Sequence, residues 1–200
     1  GRSRSDAAVV CRDESTRIIQ INKRIKAHGE ARRIDDALRA FKSLGEQGLR
    51  PTAVSYNVIL FALIKCGKLR HATEIYQEMV SRSDVHANVV TLTSLLKGHA
   101  SAGDMQSASA LLDHMLKNKE LHPNTRSLNT FLRGCLWTGD VDRANQIFDR
   151  LCGSSFRIVA PDSTSVDYVL RLFATSLRLS EAQRVFDAHE SLVERMPHPL

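Results

Sequence analysis

At 200 residues, 42% of them hydrophobic and 25% charged, the chain has the make-up of an ordinary soluble folded protein. No apolar run approaches the ~20 residues that span a bilayer, which excludes a membrane helix. The four cysteines (Cys11, Cys66, Cys135 and Cys152) form no C-x-x-C pair and are too sparse for a secreted disulfide framework, so they read as buried free thiols of a reducing compartment. A formal charge of +6 and a pI of about 9.4 favour an acidic partner.

Taken in order, Gly1–Ser5 reads as a polar tail carrying Arg2 and Arg4, within an N-terminal tail or cap of residues 1–17. A first residue of glycine rather than methionine reads as a processed or trimmed product, with any targeting peptide removed. Beyond it one pattern returns five times. A small residue at a turn is followed five positions on by an alanine, and four later by a bulky apolar residue. The alanines are Ala37, Ala72, Ala108, Ala144 and Ala182; the partners are Phe41, Tyr76, Leu112, Phe148 and Phe186. Both sets are spaced by 35, 36, 36 and 38 residues, and Gly67, Gly103 and Gly139 occupy three of the turns. A fixed period of this size predicts one supersecondary unit stacked on copies of itself, a single elongated domain.

In the first unit Ile34, Ala37, Phe41 and Leu44 lie at helical spacing. In the second, Val54, Tyr56, Val58, Ile59, Ala62 and Leu63 predict a first helix closed by Gly67; Leu69, Ala72, Ile75, Tyr76 and Met79 predict a second. The second-helix stripe recurs as Met105, Ala108, Leu112, Met115, then as Val141, Ala144, Phe148, Leu151, and finally as Val185 and Phe186 after Ala182. Each unit is therefore a helical hairpin whose alanine admits close approach, and the fold class is all-α.

One repeated first-helix position is not apolar. It holds Asn22, Asn57, Thr93, Asn129 and Asp167, all short, polar and poor helix formers. Four residues on stand Lys26, Phe61, Lys97, Arg133 and Arg171, four of them basic. A hydrogen-bonding column beside a cationic column suits a single-stranded nucleic acid, with one polar group per base and one charge per phosphate. The bland alternative for the last pair is an i, i+4 ion pair between Asp167 and Arg171, worth ~0.2–0.5 kcal/mol.

The period, the stretch Val54-Ser55-Tyr56-Asn57-Val58-Ile59-Leu60, the turn Cys66-Gly67-Lys68-Leu69 and the ending Gly48-Leu49-Arg50-Pro51-Thr52 resemble the pentatricopeptide-repeat family. The W-x-x-L-G-x-x-Y signature of tetratricopeptide repeats is missing. The resemblance implies a right-handed α-solenoid with units 18–52, 53–88, 89–124, 125–162 and a partial or capping unit 163–200. The first unit departs from the pattern, with Arg32 at the turn glycine and Arg24 where Ile59, Leu95, Phe131 and Val169 stand elsewhere; the fourth carries an insertion around Gly153–Phe156.

Members of that family bind single-stranded RNA, one base per repeat, with two side chains reading the base edge. By resemblance the readers are Asn22 with Thr52, Asn57 with Asn88, Thr93 with Asn124, and Asn129 with Asp162, and Asp167 stands alone. The family's code implies uracil for Asn129/Asp162, adenine for Thr93/Asn124, a pyrimidine (cytosine favoured) for Asn57/Asn88, and a pyrimidine for Asn22/Thr52. Ile19, Val54, Val90 and Arg126 occupy the base-sandwiching slot. Lys26, Lys97, Arg133 and Arg171 are expected to contact phosphate. Lys65 matches a family lysine with the same role, its equivalents being Glu30, Ser101, Trp137 and Thr175.

No catalytic constellation is present in the sequence. His28-Gly29-Glu30 matches half of a zinc-deaminase signature without its P-C-x-x-C partner. The expectation is a non-enzymatic RNA-binding protein of a mitochondrion or chloroplast, without cofactor or metal, acting in RNA processing, splicing, stability or translation. The alternatives are a scaffold subunit of an organellar ribosome or other ribonucleoprotein, or the repeat region of a larger enzyme. Other RNA-processing or ribosomal proteins, and self-association through exposed solenoid ends near Phe186 and Leu192, are further expected contacts.

Overall fold

A computed structural model describes residues 4–153 and 158–193, with side chains from Asp13 onward. Cys11 and most of the insertion expected around Gly153–Phe156 lie outside the described side chains. Among the described residues the chain is helical, without strands. The helices are α1 (Arg4–Glu30), α2 (Ile34–Glu46), α3 (Ala53–Lys65), α4 (Leu69–Ser81), α5 (Val89–Ser101), α6 (Met105–Lys117), α7 (Thr125–Thr138), α8 (Val141–Cys152), α9 (Ser163–Thr175), α10 (Leu179–Ala188) and the single turn α11 (Glu190–Val193). None is long and apolar enough to cross a membrane.

The chain divides into two compact units, Gly1–Gly98 and His99–Leu200, and the division falls within α5. In a repeat array each hairpin touches only its neighbours, so no one core spans the whole chain. In the first unit α1 packs on α2 and α3, and α3 on α2 and α4. In the second, α7 packs on α6, α8 and α9, and α9 on α8, α10 and α11. First helices thus stack on first helices within each unit, which sets repeated first-helix positions side by side.

The alanine column behaves as its spacing predicts: Ala37, Ala72, Ala108 and Ala144 are fully buried. Phe41 is buried and meets Tyr56 edge-on at 5.3 Å. The fifth unit departs from the pattern. Ala182 is only half-buried and Phe186 is exposed. Most of the segment expected as a tail or cap, residues 1–17, is helical from Arg4 onward. Helix α1 begins at Arg4, consistent with the absence of any Gly or Pro between Arg4 and His28.

Gly67, Gly103 and Gly139 hold the left-handed conformation that ends each first helix, with φ of 72°, 76° and 70°. Arg32 and Leu177 adopt the same conformation in the first and fifth units, at 57° and 56°, without glycine's freedom. Gly29 serves a different need: a Cβ there would lie 2.5 Å from that of Ala62, so the glycine lets α1 sit close against α3. Cys135 and Cys152 are buried free thiols and Cys66 is a half-buried one. Burial, helped by the Asp140 carboxylate, pushes the Cys135 thiol up to about 12.

Candidate nucleic-acid interface

The site is built at the junctions between successive repeats. Three residues before each unit's end an apolar side chain is buried: Leu49, Val85, Leu121 and Val159. These plugs pin the connecting strand of backbone, so the residue three further on starts the next helix at a fixed place. That residue is an N-cap. Thr52, Asn124 and Asp162 hold extended backbone, and their side chains accept from the amides of Ser55, Ser127 and Ser165 at the third helical position. Asn88 does the same for Thr91 at 3.1 Å and receives a return bond from its own amide to Thr91 Oγ1. Ser55, Thr91, Ser127 and Ser165 are all fully buried.

The buried hydroxyl has a second task. In the first unit Thr91 Oγ1 donates to Asn57 Oδ1 at 2.7 Å, and Asn57 Nδ2 faces Asn88 Oδ1 at 3.4 Å. In the second unit Ser165 Oγ donates to Asn129 Oδ1 at 2.5 Å, and Asn129 Nδ2 donates to both carboxylate oxygens of Asp162, at 3.0 and 3.1 Å. Once the amide oxygen takes the hydroxyl proton, the amide NH2 must turn toward the N-cap. Two predicted readers from adjacent repeats are thereby locked into one donor–acceptor pair. Burial alone would raise the Asp162 carboxyl. The Ser165 amide, the Asn129 side chain and the Ser165 hydroxyl outweigh it and hold the pKa below the usual carboxylate range. Asp162 therefore presents only acceptors at neutral pH.

The other predicted readers are placed differently. Asn22 is 8% exposed and its Oδ1 is buried without a hydrogen-bond partner, while Thr52 is exposed. Thr93, also 8% exposed, belongs to the first unit and the exposed Asn124 to the second. Asp167 accepts from Arg171 Nε at 2.8 Å, so this polar–cationic pair is engaged within α9. Three of the sandwiching residues are open to solvent, Ile19 at 54% and Val54 and Val90 at 60%, which is costly for branched aliphatics; Arg126 is exposed too.

The cations divide by partner. Lys26 lies 3.9 Å from Glu30 and Arg171 pairs with Asp167, both on their own helices. Lys97 sits 5.6 Å from the centre of the Phe61 ring, and the Arg133 guanidinium 5.1 Å from the Trp137 ring. Lys65 is exposed. His28 lies 4.0 Å from an Asp36 carboxylate oxygen, and Glu30 is the carboxylate beside Lys26. Among the described residues no three metal-ligating side chains gather into a site. The hydroxyl column and the apolar plugs went unread in the sequence. Their signal is an N-cap residue followed three positions later by Ser or Thr, with a buried apolar residue three positions before.

The sequence model of the family described as the pentacotripeptide-repeat region of PRORP matches residues 13–199. The chain belongs to the pentatricopeptide-repeat family. A pentatricopeptide repeat-containing protein of Arabidopsis thaliana is 26% identical over 79 residues, 40% of this chain and 12% of the relative. The fold is similar to the pentatricopeptide repeat protein PPR10 from maize, with a TM-score of 0.75 and 22% identity over 86% of this chain and 24% of that one. A structure of PPR10 in complex with an 18-nt psaJ RNA element matches at 0.72, also 22% identical, over 88% and 25%. The PPR domain of Arabidopsis thaliana protein-only RNase P 1, in complex with tRNA, matches at 0.74 and 18% identity over 91% and 93%. At these identities the solved structures establish the shared fold. The chain spans about an eighth of the curated relative and about a quarter of maize PPR10.

Proposed function

We propose that the chain binds single-stranded RNA sequence-selectively through its paired junction residues, within a mitochondrion or chloroplast, and acts in RNA processing, splicing, stability or translation by binding rather than by catalysis. The observation that carries this is the Asn129–Asp162 pair with Ser165 beneath it. Its two groups come from different repeats, are held by a buried hydroxyl, and offer a fixed set of donors and acceptors. A carboxylate accepts and cannot donate, so Asp162 matches the N3–H of uracil and opposes the lone pair at N3 of cytosine. At Asn57/Asn88 an amide can turn its NH2 toward the cytosine N3. Exposed Val54 and Val90 supply apolar surfaces for base faces, and Lys97 and Arg133 supply charge for phosphates.

Titrating the chain with single-stranded RNA at two salt concentrations tests this. A reader gives sequence preference and a salt slope of about −0.7 per phosphate contact. Exposed Leu177, Leu179 and Phe186 favour a second reading, a scaffold subunit of a ribonucleoprotein that meets protein through its C-terminal hairpin. A scaffold gives weak binding indifferent to sequence.

A further inference from the structure

Helix α7 carries a feature that pairing at the junction does not use. Trp137 is the sole tryptophan of the chain, and 62% of it is exposed. It lies one turn beyond Arg133, which itself lies one turn beyond Asn129. A large aromatic left open to water on a well-packed helix loses the stabilisation its burial would bring, and nothing in the second unit's core requires it there. Its neighbour is not an acidic residue. The Arg133 guanidinium stands over the ring at 5.1 Å, and Arg133 makes no ion pair among the described residues. A guanidinium over an indole ring is attracted by the ring's electron-rich face and needs no acidic partner to stay there. The first unit repeats the combination on a smaller scale, with Lys97 over the exposed Phe61 ring one turn beyond Asn57.

An exposed π-face with a fixed cation beside it matches one ligand chemistry closely: an unpaired nucleobase next to its phosphate. Stacking takes any base, because every base has a π-face, and the guanidinium meets the adjacent backbone charge. The ring sits about 12 Å along α7 from Asn129, at 1.5 Å per residue, roughly the reach of two nucleotides.

We infer that Trp137 and Arg133 form a stacking platform for an unpaired base of bound RNA, one that adds affinity without adding sequence preference. The inference rests on the RNA-binding function proposed above. It assigns Trp137 a role that Lys65, at the equivalent position of the repeat 53–88, would fill by charge alone.

The test uses the whole chain and a 12-nucleotide single-stranded RNA of mixed sequence bearing a 5′ fluorophore, with anisotropy and intrinsic tryptophan emission read in one titration. The platform predicts that emission is quenched with the same midpoint as the anisotropy rise. Trp137→Ala weakens binding about tenfold for every sequence tried, and Trp137→Phe restores most of it. Both variants keep the parent's melting temperature, since an exposed ring contributes little to the fold. An anisotropy rise with unchanged emission, and Trp137→Ala binding as tightly as the parent, overturns the platform and leaves RNA binding intact. Emission that shifts with protein concentration instead of with RNA overturns it in favour of a protein contact. No anisotropy change at any RNA concentration overturns RNA binding itself, and the platform with it.

Discussion

The Asn129 amide donates to both carboxylate oxygens of Asp162 across 33 residues of sequence, at 3.0 and 3.1 Å. Neither residue is placed by its own helix alone. Asp162 is positioned as the N-cap of α9 and Asn129 by the Ser165 hydroxyl three residues further on, so the stacking of two hairpins assembles the pair.

That support predicts the effect of removing the hydroxyl. Ser165→Ala frees Asn129 Oδ1 and takes one bond from Asp162 while leaving both readers in place. RNA carrying uracil at this position should lose about 1–2 kcal/mol of its advantage over other bases, measured as a ratio of dissociation constants. Thr91→Val should do the same at the Asn57–Asn88 pair.

The Asp162 carboxyl predicts a pH dependence. Its pKa is lowered in the folded chain, so its contribution to stability is fully present above the unfolded value near 3.8 and is lost as pH falls through the lower folded value. Denaturant melts between pH 2.5 and 6 should show this acid-limb loss in the parent chain and a shallower one in Asp162→Asn.

Two turns carry a correctable strain. Arg32 and Leu177 hold left-handed backbone where three other units have glycine. Leu177 is 82% exposed, so its side chain has little packing to lose. Leu177→Gly should raise stability by about 0.5–1 kcal/mol in a thermal melt, the relief of the Cβ clash exceeding glycine's extra unfolded-state entropy.

The close approach of α1 and α3 is less forgiving. Gly29→Ala places a Cβ 2.5 Å from the Ala62 Cβ and 3.1 Å from its Cα, and the second of these is backbone that cannot swing aside. A loss of about 1–3 kcal/mol is expected, read as a lower denaturation midpoint.

Much of the architecture was legible before any coordinates. The alanine column predicted which second-helix face is buried, because close packing of hairpins demands a small residue at a fixed period. The polar first-helix column stood out too, because Asn and Asp are unusual in mid-helix. Less visible was what holds the readers. Ser55, Thr91, Ser127 and Ser165 look like ordinary polar residues near a helix start, and only three-dimensional stacking reveals that two of them reach back to the preceding repeat. The cationic column shows what register alone does not specify. Its residues share a register, yet Lys26 and Arg171 find carboxylates one turn away on their own helices, whereas Lys97 and Arg133 find aromatic rings. Register places a charge; local neighbours decide what it does.

If the Asp162 carboxylate sets base preference at the Asn129–Asp162 pair, one exchange reveals it. Dissociation constants are measured for two single-stranded RNAs that differ only by uracil or cytosine at the Asn129/Asp162 position, with the parent chain and with Asp162→Asn. The parent should prefer uracil by about 1–3 kcal/mol, and the amide variant should lose or reverse that preference, since it can donate to the cytosine N3. Equal binding of both RNAs by both proteins would contradict it.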